Sequence, residues 1–320
     1  MSSTRATTAL TADERDEARR LREARLKSSA ARLSVAAAAF LIVLKSATGW
    51  LTGSISVWAS LLDSTMDIFA SVINYFAVRA ASRPPDDDHH YGHGKAESLA
   101  GLFQSFVITV SGIFLIREAV RRVLTPHETA LEWIGVGTMA VAGAVSVALV
   151  ARLRRAARET DSPALMADSV HYATDVFTNG AALVALLVVA LTGWTLVDPL
   201  VSIAISGFIL WSAFEVARDA VDVLMDRRLG PEVDEAVASV VKSFGDRGVT
   251  GFHDLRTRRS GSYKFIDLHL EVTPDKSFVR AHDLTERVIR AIESEIPRSR
   301  VQIHTDPTGE MMNEERRTMS

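Results

Sequence analysis

Two pairs of metal-type ligands sit inside stretches that are otherwise apolar. Asp63 and Asp67 lie in ISVWASLLDSTMDIFASVINYFAV, and His171 and Asp175 lie in MADSVHYATDVFTNGAALVALLVVAL. Each pair is spaced i,i+4, which on a helix puts both side chains on one face, one turn apart. A carboxylate at bilayer depth costs roughly 2.5–3.5 kcal/mol on insertion scales, so these groups must meet one another or something charged. Three carboxylates and an imidazole around one point make a four-ligand oxygen/nitrogen site for a divalent cation. Asp168, seven residues before Asp175, faces the same way, one to two turns lower, behind the ligands. Lys45 lies in an earlier apolar stretch and reads as snorkelling toward the interface rather than as an internal counter-ion.

Two further clusters carry ligand chemistry. The loop PPDDDHHYGHGKAE holds Asp86, Asp87, Asp88, His89, His90 and His93, which suits a surface metal site. Near the C-terminus stand His253, His269, His282, His304 and Asp306. His269 shares a strand face with Asp267 and Glu271. Periodicity alone does not say which of these histidines converge.

The elements that must position these residues follow from hydrophobic runs. Six stretches approach the roughly 20 helical residues that cross about 30 Å of hydrocarbon. They are Leu33–Leu51, Val57–Ala80, Ser98–Val120, Leu131–Leu153, Met166–Leu191 and Thr195–Ala217. They lack strand alternation, so helices are expected. An even count puts both termini on one side. Arg-rich residues before the first stretch, Arg83 and Lys95 after the second and Arg152, Arg154, Arg155 and Arg158 after the fourth make that side cytoplasmic. Arg117, Arg121 and Arg122 run against this bias. From about Asp226 the pattern changes to helix, two strands joined at a Ser-Gly turn, helix and strand, a small α+β domain. The expected division is a cytoplasmic tail 1–32, a membrane domain 33–225, a cytoplasmic metal-binding domain 226–307 and a disordered tail 308–320.

Composition agrees with a two-part chain. Of 320 residues, 48% are hydrophobic, yet 23% are charged. The net charge of −3 gives no case for nucleic acid. No cysteine is present, which excludes disulfides, thiolate ligands and cysteine nucleophiles. The N-terminus has no apolar core of a cleavable signal peptide.

The segments LTGSISVWASLLDSTMDIFAS, DDDHHYGHGKAESLAGL, ADSVHYATDVFTNGA, LMDRRL, HDLRTRRSG, IDLHLEV and AHDLTE together resemble the cation diffusion facilitator (cation efflux) family, most closely its bacterial zinc/iron exporter branch. The resemblance runs from about Leu33 to Pro307. It implies six transmembrane helices, a C-terminal cytoplasmic ferredoxin-like domain, a homodimer and residence in the inner (plasma) membrane. It assigns Asp63, Asp67, His171 and Asp175 to a transport site and Asp86, His89 and His93 to a loop site. It assigns His253, His269, His304 and Asp306 to cytoplasmic zinc sites at the dimer interface, with His282 as a further ligand. Lys95 and Asp226 match a pair that interlocks as a hinge clamp.

The expected function is a proton-coupled exporter of divalent metal, foremost Zn²⁺, with no organic cofactor and no enzymatic activity. One imidazole among three carboxylates favours Zn²⁺ or Cd²⁺ over Mg²⁺ or Ca²⁺ and leaves Fe²⁺, Co²⁺ and Mn²⁺ open. His171 is the first choice of proton carrier and Asp175 the second. A membrane-anchored sensor without flux is the alternative, but it gives the buried ligands no task. A membrane metallohydrolase needs a general base and cleft for which no motif such as HExxH is present.

Overall fold

The structure, a computed structural model, describes residues 12–52, 55–124, 133–192 and 197–308, apart from certain side chains within those ranges, that of Asp63 among them. The chain forms two compact units, residues 1–221 and 222–320.

The first unit is helical: α1 (Ala12–Thr52), α2 (Ile55–Ala81), α3 (Ala96–Leu124), α4 (Trp133–Thr160), α5 (Pro163–Thr192) and α6 (Val197–Leu224, which runs on into the second unit). Among the described residues, four stretches are long and apolar enough to cross a membrane: Ala18–Leu51, Ala96–Arg121, Gly137–Thr160 and Leu200–Leu224. The other two helices, α2 and α5, are those that carry the ligand pairs. The bundle is apolar outside and polar within. Phe69, Phe76, Phe106, Phe114, Phe208 and Phe214 are exposed, whereas Ser34, Ser71, Asp168 and His171 are buried. That inversion suits hydrocarbon as solvent, where only polar groups need shelter.

Small residues set the packing. Ala30, Ala31 and Ala37 of α1 meet Ala156 and Ala157 of α4 and Ala164 of α5 in one cluster with Leu149, Leu153 and Tyr172. Such residues let helices approach closely where lipid offers no hydrophobic drive. At the α3–α6 crossing Gly112 makes room for Leu210, whose Cδ2 would lie 2.9 Å from any added Cβ. Residues 12–32, read from the sequence as a tail, form the first half of α1. Lys27 there is buried, and its Nζ donates to Glu97 Oε1 of α3 at 2.6 Å. Ser162, just before α5, donates to the other Glu97 oxygen at 2.5 Å. A composition of arginines and acids hides this one buried lysine.

The second unit holds α7 (Pro231–Lys242), β1 (Val249–Ser260), β2 (Tyr263–Val272), α8 (Phe278–Glu295) and β3 (Ser299–Pro307). The sheet order is β1-β2-β3. β1 and β2 form an antiparallel hairpin that turns at Gly261, whose φ of +59° glycine adopts without strain. β2 and β3 are parallel. Against the β-α-β-β-α-β order of a ferredoxin-like fold, the first strand is missing among the described residues. The two strands of the split βαβ unit then pair directly, which explains their parallel run. Alternation along β2 turns Ile266, Leu268 and Leu270 toward α7 (Val233, Val237, Val241) and α8 (Leu284, Val288, Ile292) in one core. Asp267, His269 and Glu271 consequently lie on the opposite face of the sheet.

Candidate metal centres

The buried centre joins α2 and α5. His171 Nε2 lies 3.0 Å from Asp67 Oδ1, and both residues are more than nine-tenths buried. Asp175, one turn along α5, completes a group whose ligand atoms all lie within 4.8 Å of one another. Two zinc ligands at about 2.0–2.1 Å on a tetrahedral ion stand roughly 3.3 Å apart, so the Asp67–His171 separation suits one shared cation. Asp63 lies one turn from Asp67 on α2, with its side chain outside the described residues. Asp168 does not join the ligand group. It is fully buried and accepts from Ser34 Oγ of α1 at 2.7 Å. Lys45 Nζ donates to Ser64 Oγ of α2 at 2.7 Å, so its head engages the neighbouring helix.

The loop centre is built on a tight turn. The backbone N–H of His89 donates to Asp86 Oδ1 at 2.8 Å, and Gly92, at φ +81°, reverses the chain toward His93. Asp86 Oδ1 then lies 3.3 Å from His89 Nδ1 and Asp86 Oδ2 lies 3.3 Å from His93 Nε2. Partial desolvation pushes the Asp86 carboxyl up. The His89 N–H and the His93 and His89 imidazoles outweigh this and hold it below its ordinary value. Asp87, Asp88 and His90 are exposed and stand outside the ligand group among the described residues.

The third centre comes from strand register. His253 of β1 pairs with His269 of β2, and His269 pairs with His304 of β3, so three histidines stand in a row across the sheet. A bulge after His253, with Asp254 at φ +49°, breaks the β1 register at this point. Asp306 collects the row: Oδ2 lies 2.8 Å from His269 Nδ1 and 3.3 Å from His253 Nε2, and Oδ1 lies 3.2 Å from His304 Nε2. His253, His269 and Asp306 form a ligand group, with His304 at its exposed edge. Both ring nitrogens of His253 are buried without a hydrogen-bond partner. A metal would satisfy one of them, so the donor set fits a divalent ion.

His282, which the resemblance assigns to a site at the dimer interface, is not part of this single-chain group. It is exposed on α8, stacked on Phe278, and α8 packs on the opposite face of the sheet from the histidine row. Lys95 stands at the turn into α3 in the first unit. Asp226 belongs to the second, where its Oδ1 lies 3.6 Å from Arg258 Nη1. Sequence reasoning overlooked Ser71 and Tyr172, whose hydroxyls lie 2.9 Å apart beside the buried centre. The available signal was spacing: Ser71 continues the Asp63–Asp67 stripe by four more residues.

Residues 31–225 match the family description "Cation efflux transmembrane domain", and residues 229–308 match "Cation efflux protein, cytoplasmic domain". The chain is 41% identical over 293 residues to the cation-efflux pump FieF of Citrobacter koseri, covering 92% of this chain and 97% of that protein. It is 40% identical over 295 residues, at the same coverage, to FieF of Escherichia coli. A solved structure described as "Mode of Action of a Putative Zinc Transporter CzrB (Zn form)" shares 33% identity. That match covers 27% of this chain and 96% of the other, at a TM-score of 0.25.

Proposed function

The chain belongs to the cation efflux (cation diffusion facilitator) family and is a cation efflux transporter, not an enzyme; from that premise we propose that it exports Zn²⁺ in exchange for protons. The cargo is carried at Asp67, His171 and Asp175, with Asp63 as the fourth ligand. All six helices of the first unit span the bilayer, both termini are cytoplasmic, and the protein works as a homodimer.

The observation that carries this reading is the Asp67–His171–Asp175 cluster in the polar interior of a bundle whose outer face is apolar. Export needs a site that binds its cargo and then releases it. Metal binding requires ionised carboxylates and a neutral imidazole, so proton and cation compete for the same lone pairs. The pair at 3.0 Å makes the competition concrete, because His171 Nε2 and Asp67 Oδ1 hold either a shared proton or the cation between them. Antiport follows if the cation arrives from the cytoplasm and a proton replaces it after the helices reopen on the other side. His171 is the proposed proton carrier and Asp175 the second. One imidazole among carboxylates supports Zn²⁺ or Cd²⁺ over Mg²⁺ and Ca²⁺. Fe²⁺, Co²⁺ and Mn²⁺ are the competing cargoes.

The other two centres are proposed as regulatory. Asp86, His89 and His93 would hold a cation on the loop, and His253, His269, Asp306 and His304 would hold zinc on the cytoplasmic domain. A bound ion there neutralises the clustered carboxylate and ties strands or loop together. Such a cation biases transport only by binding the two access states unequally. Lys95 and Asp226 are proposed as the interlocking hinge-clamp pair that the family resemblance implies. Proteoliposomes loaded at different internal pH test the coupling. Zinc flux should rise with an opposing proton gradient and fall when Cd²⁺ competes. Flux indifferent to the gradient rules out proton exchange, and stronger inhibition by Mn²⁺ than by Cd²⁺ rules out the assigned cargo.

A further inference from the structure

One fully buried carboxylate is used neither as a ligand nor in an ion pair. Asp168 stands one turn before His171 on α5, and its Oδ1 is buried without a hydrogen-bond partner. Keeping a carboxylate inside a bundle at such cost calls for a reason. Its other oxygen supplies one. Oδ2 accepts from Ser34 Oγ of α1 at 2.7 Å. Ser34 Oγ also lies 3.1 Å from Ser71 Oγ of α2. Ser71 Oγ lies 2.9 Å from the Tyr172 hydroxyl of α5, which reaches the Ser34 carbonyl at 3.4 Å. Their three hydroxyl protons link the four side chains in a relay through three helices, Tyr172 to Ser71 to Ser34 to Asp168, and all four residues are fully buried.

The relay lies one turn from the ligands on both helices that carry them. Ser71 follows Asp67 by four residues on α2, and Tyr172 follows His171 directly on α5. Two rungs, Asp67–His171 and Ser71–Tyr172, thus cross the same helix pair. The second rung needs no cation, because its partners are neutral hydroxyls. It persists when the first exchanges proton for metal. Hydrogen bonds behind a metal site orient its ligands, and buried networks of this kind resist piecemeal change.

We propose that Asp168, Ser34, Ser71 and Tyr172 form a positioning clasp that fixes the separation of Asp67 and His171, and thereby sets cation affinity and selectivity. The proposal rests on the transport-site reading above. Ser34 gives α1, which supplies no ligand to the buried group, a part in the site. Asp168 acts through Ser34 and touches no cargo.

Zinc and cadmium flux in proteoliposomes of the full-length protein tests the clasp. Tyr172→Phe and Ser34→Ala each remove two contacts of the network and keep every ligand. Each should raise the zinc KM about tenfold, leave the maximal rate within about twofold and shift the zinc-to-cadmium ratio by about threefold or more. Asp168→Asn keeps an oxygen for Ser34 and should restore most of the affinity that Asp168→Ala loses. Wild-type KM and selectivity in both Tyr172→Phe and Ser34→Ala overturn the clasp, as does a fall in maximal rate at unchanged KM. Asp67→Ala, run alongside, separates the two claims. If it transports normally, the site reading itself fails; if it is inactive while the clasp variants behave as wild type, only the clasp fails.

Discussion

Replacing Lys27 by Met tests whether the first half of α1 is structural. Lys27 and Glu97 are 2.6 Å apart, with side-chain exposures of 10% and 1%. Breaking a buried pair by removing one partner typically costs about 3–5 kcal/mol, because the other charge is left uncompensated. Ser162 still donates to Glu97, so the low end, about 3 kcal/mol, is expected for Lys27→Met. For a unit of about 150–250 residues each kcal/mol moves Tm by roughly 2–4 °C, which gives a fall of about 6–12 °C. Thermal unfolding of the purified protein in detergent measures it. Glu97→Gln should cost a similar amount, since it removes the carboxylate that the ammonium faces at 2.6 Å. The double variant buries neither charge and should recover much of the loss, a coupling that a double-mutant cycle reads directly. A Tm for Lys27→Met within about 1 °C of wild type, or strictly additive losses in the double variant, refutes the reasoning.

Three further outcomes are expected. Asp306→Ala removes the carboxylate shared by His253, His269 and His304 and should weaken zinc binding to the full chain by at least about tenfold in calorimetry. His282→Ala should weaken that binding less than Asp306→Ala does, because within one chain α8 lies across the sheet from the row. The Asp86 carboxyl titrates below its ordinary 3.8, so its support of the loop turn is present above that pH and is lost only as pH falls through the lowered value. Hydrogen exchange at the His89 amide, followed from pH 6 to pH 3, should therefore stay protected until the acid end of that range.

The buried centre was legible because its chemistry depends on local spacing. The i,i+4 pairs Asp63/Asp67 and His171/Asp175 need only a helix to bring each pair onto one face. The centre on the sheet was legible in composition but not in geometry. Which histidines meet depends on pairing His253 with His269 across a bulged hairpin and His269 with His304 across a parallel pair. Neither register is visible to a period-2 pattern. The Lys27–Glu97–Ser162 contact was illegible for a different reason. Its partners come from three distant segments, and Lys27 is one cation among many in a charged stretch. The Ser34–Ser71–Tyr172 relay shares that character, since common polar residues become informative only once burial is known.

Flux through Asp67→Ala and His171→Ala proteins tests the central claim most directly. Each variant is reconstituted into vesicles and zinc accumulation is followed with a luminal indicator beside the wild type. Both side chains belong to the only buried ligand group among the described residues. Losing either should reduce transport to the leak of empty vesicles while the protein still assembles. Zinc accumulation at the wild-type rate in either variant would contradict the account and move the carrying site elsewhere in the chain.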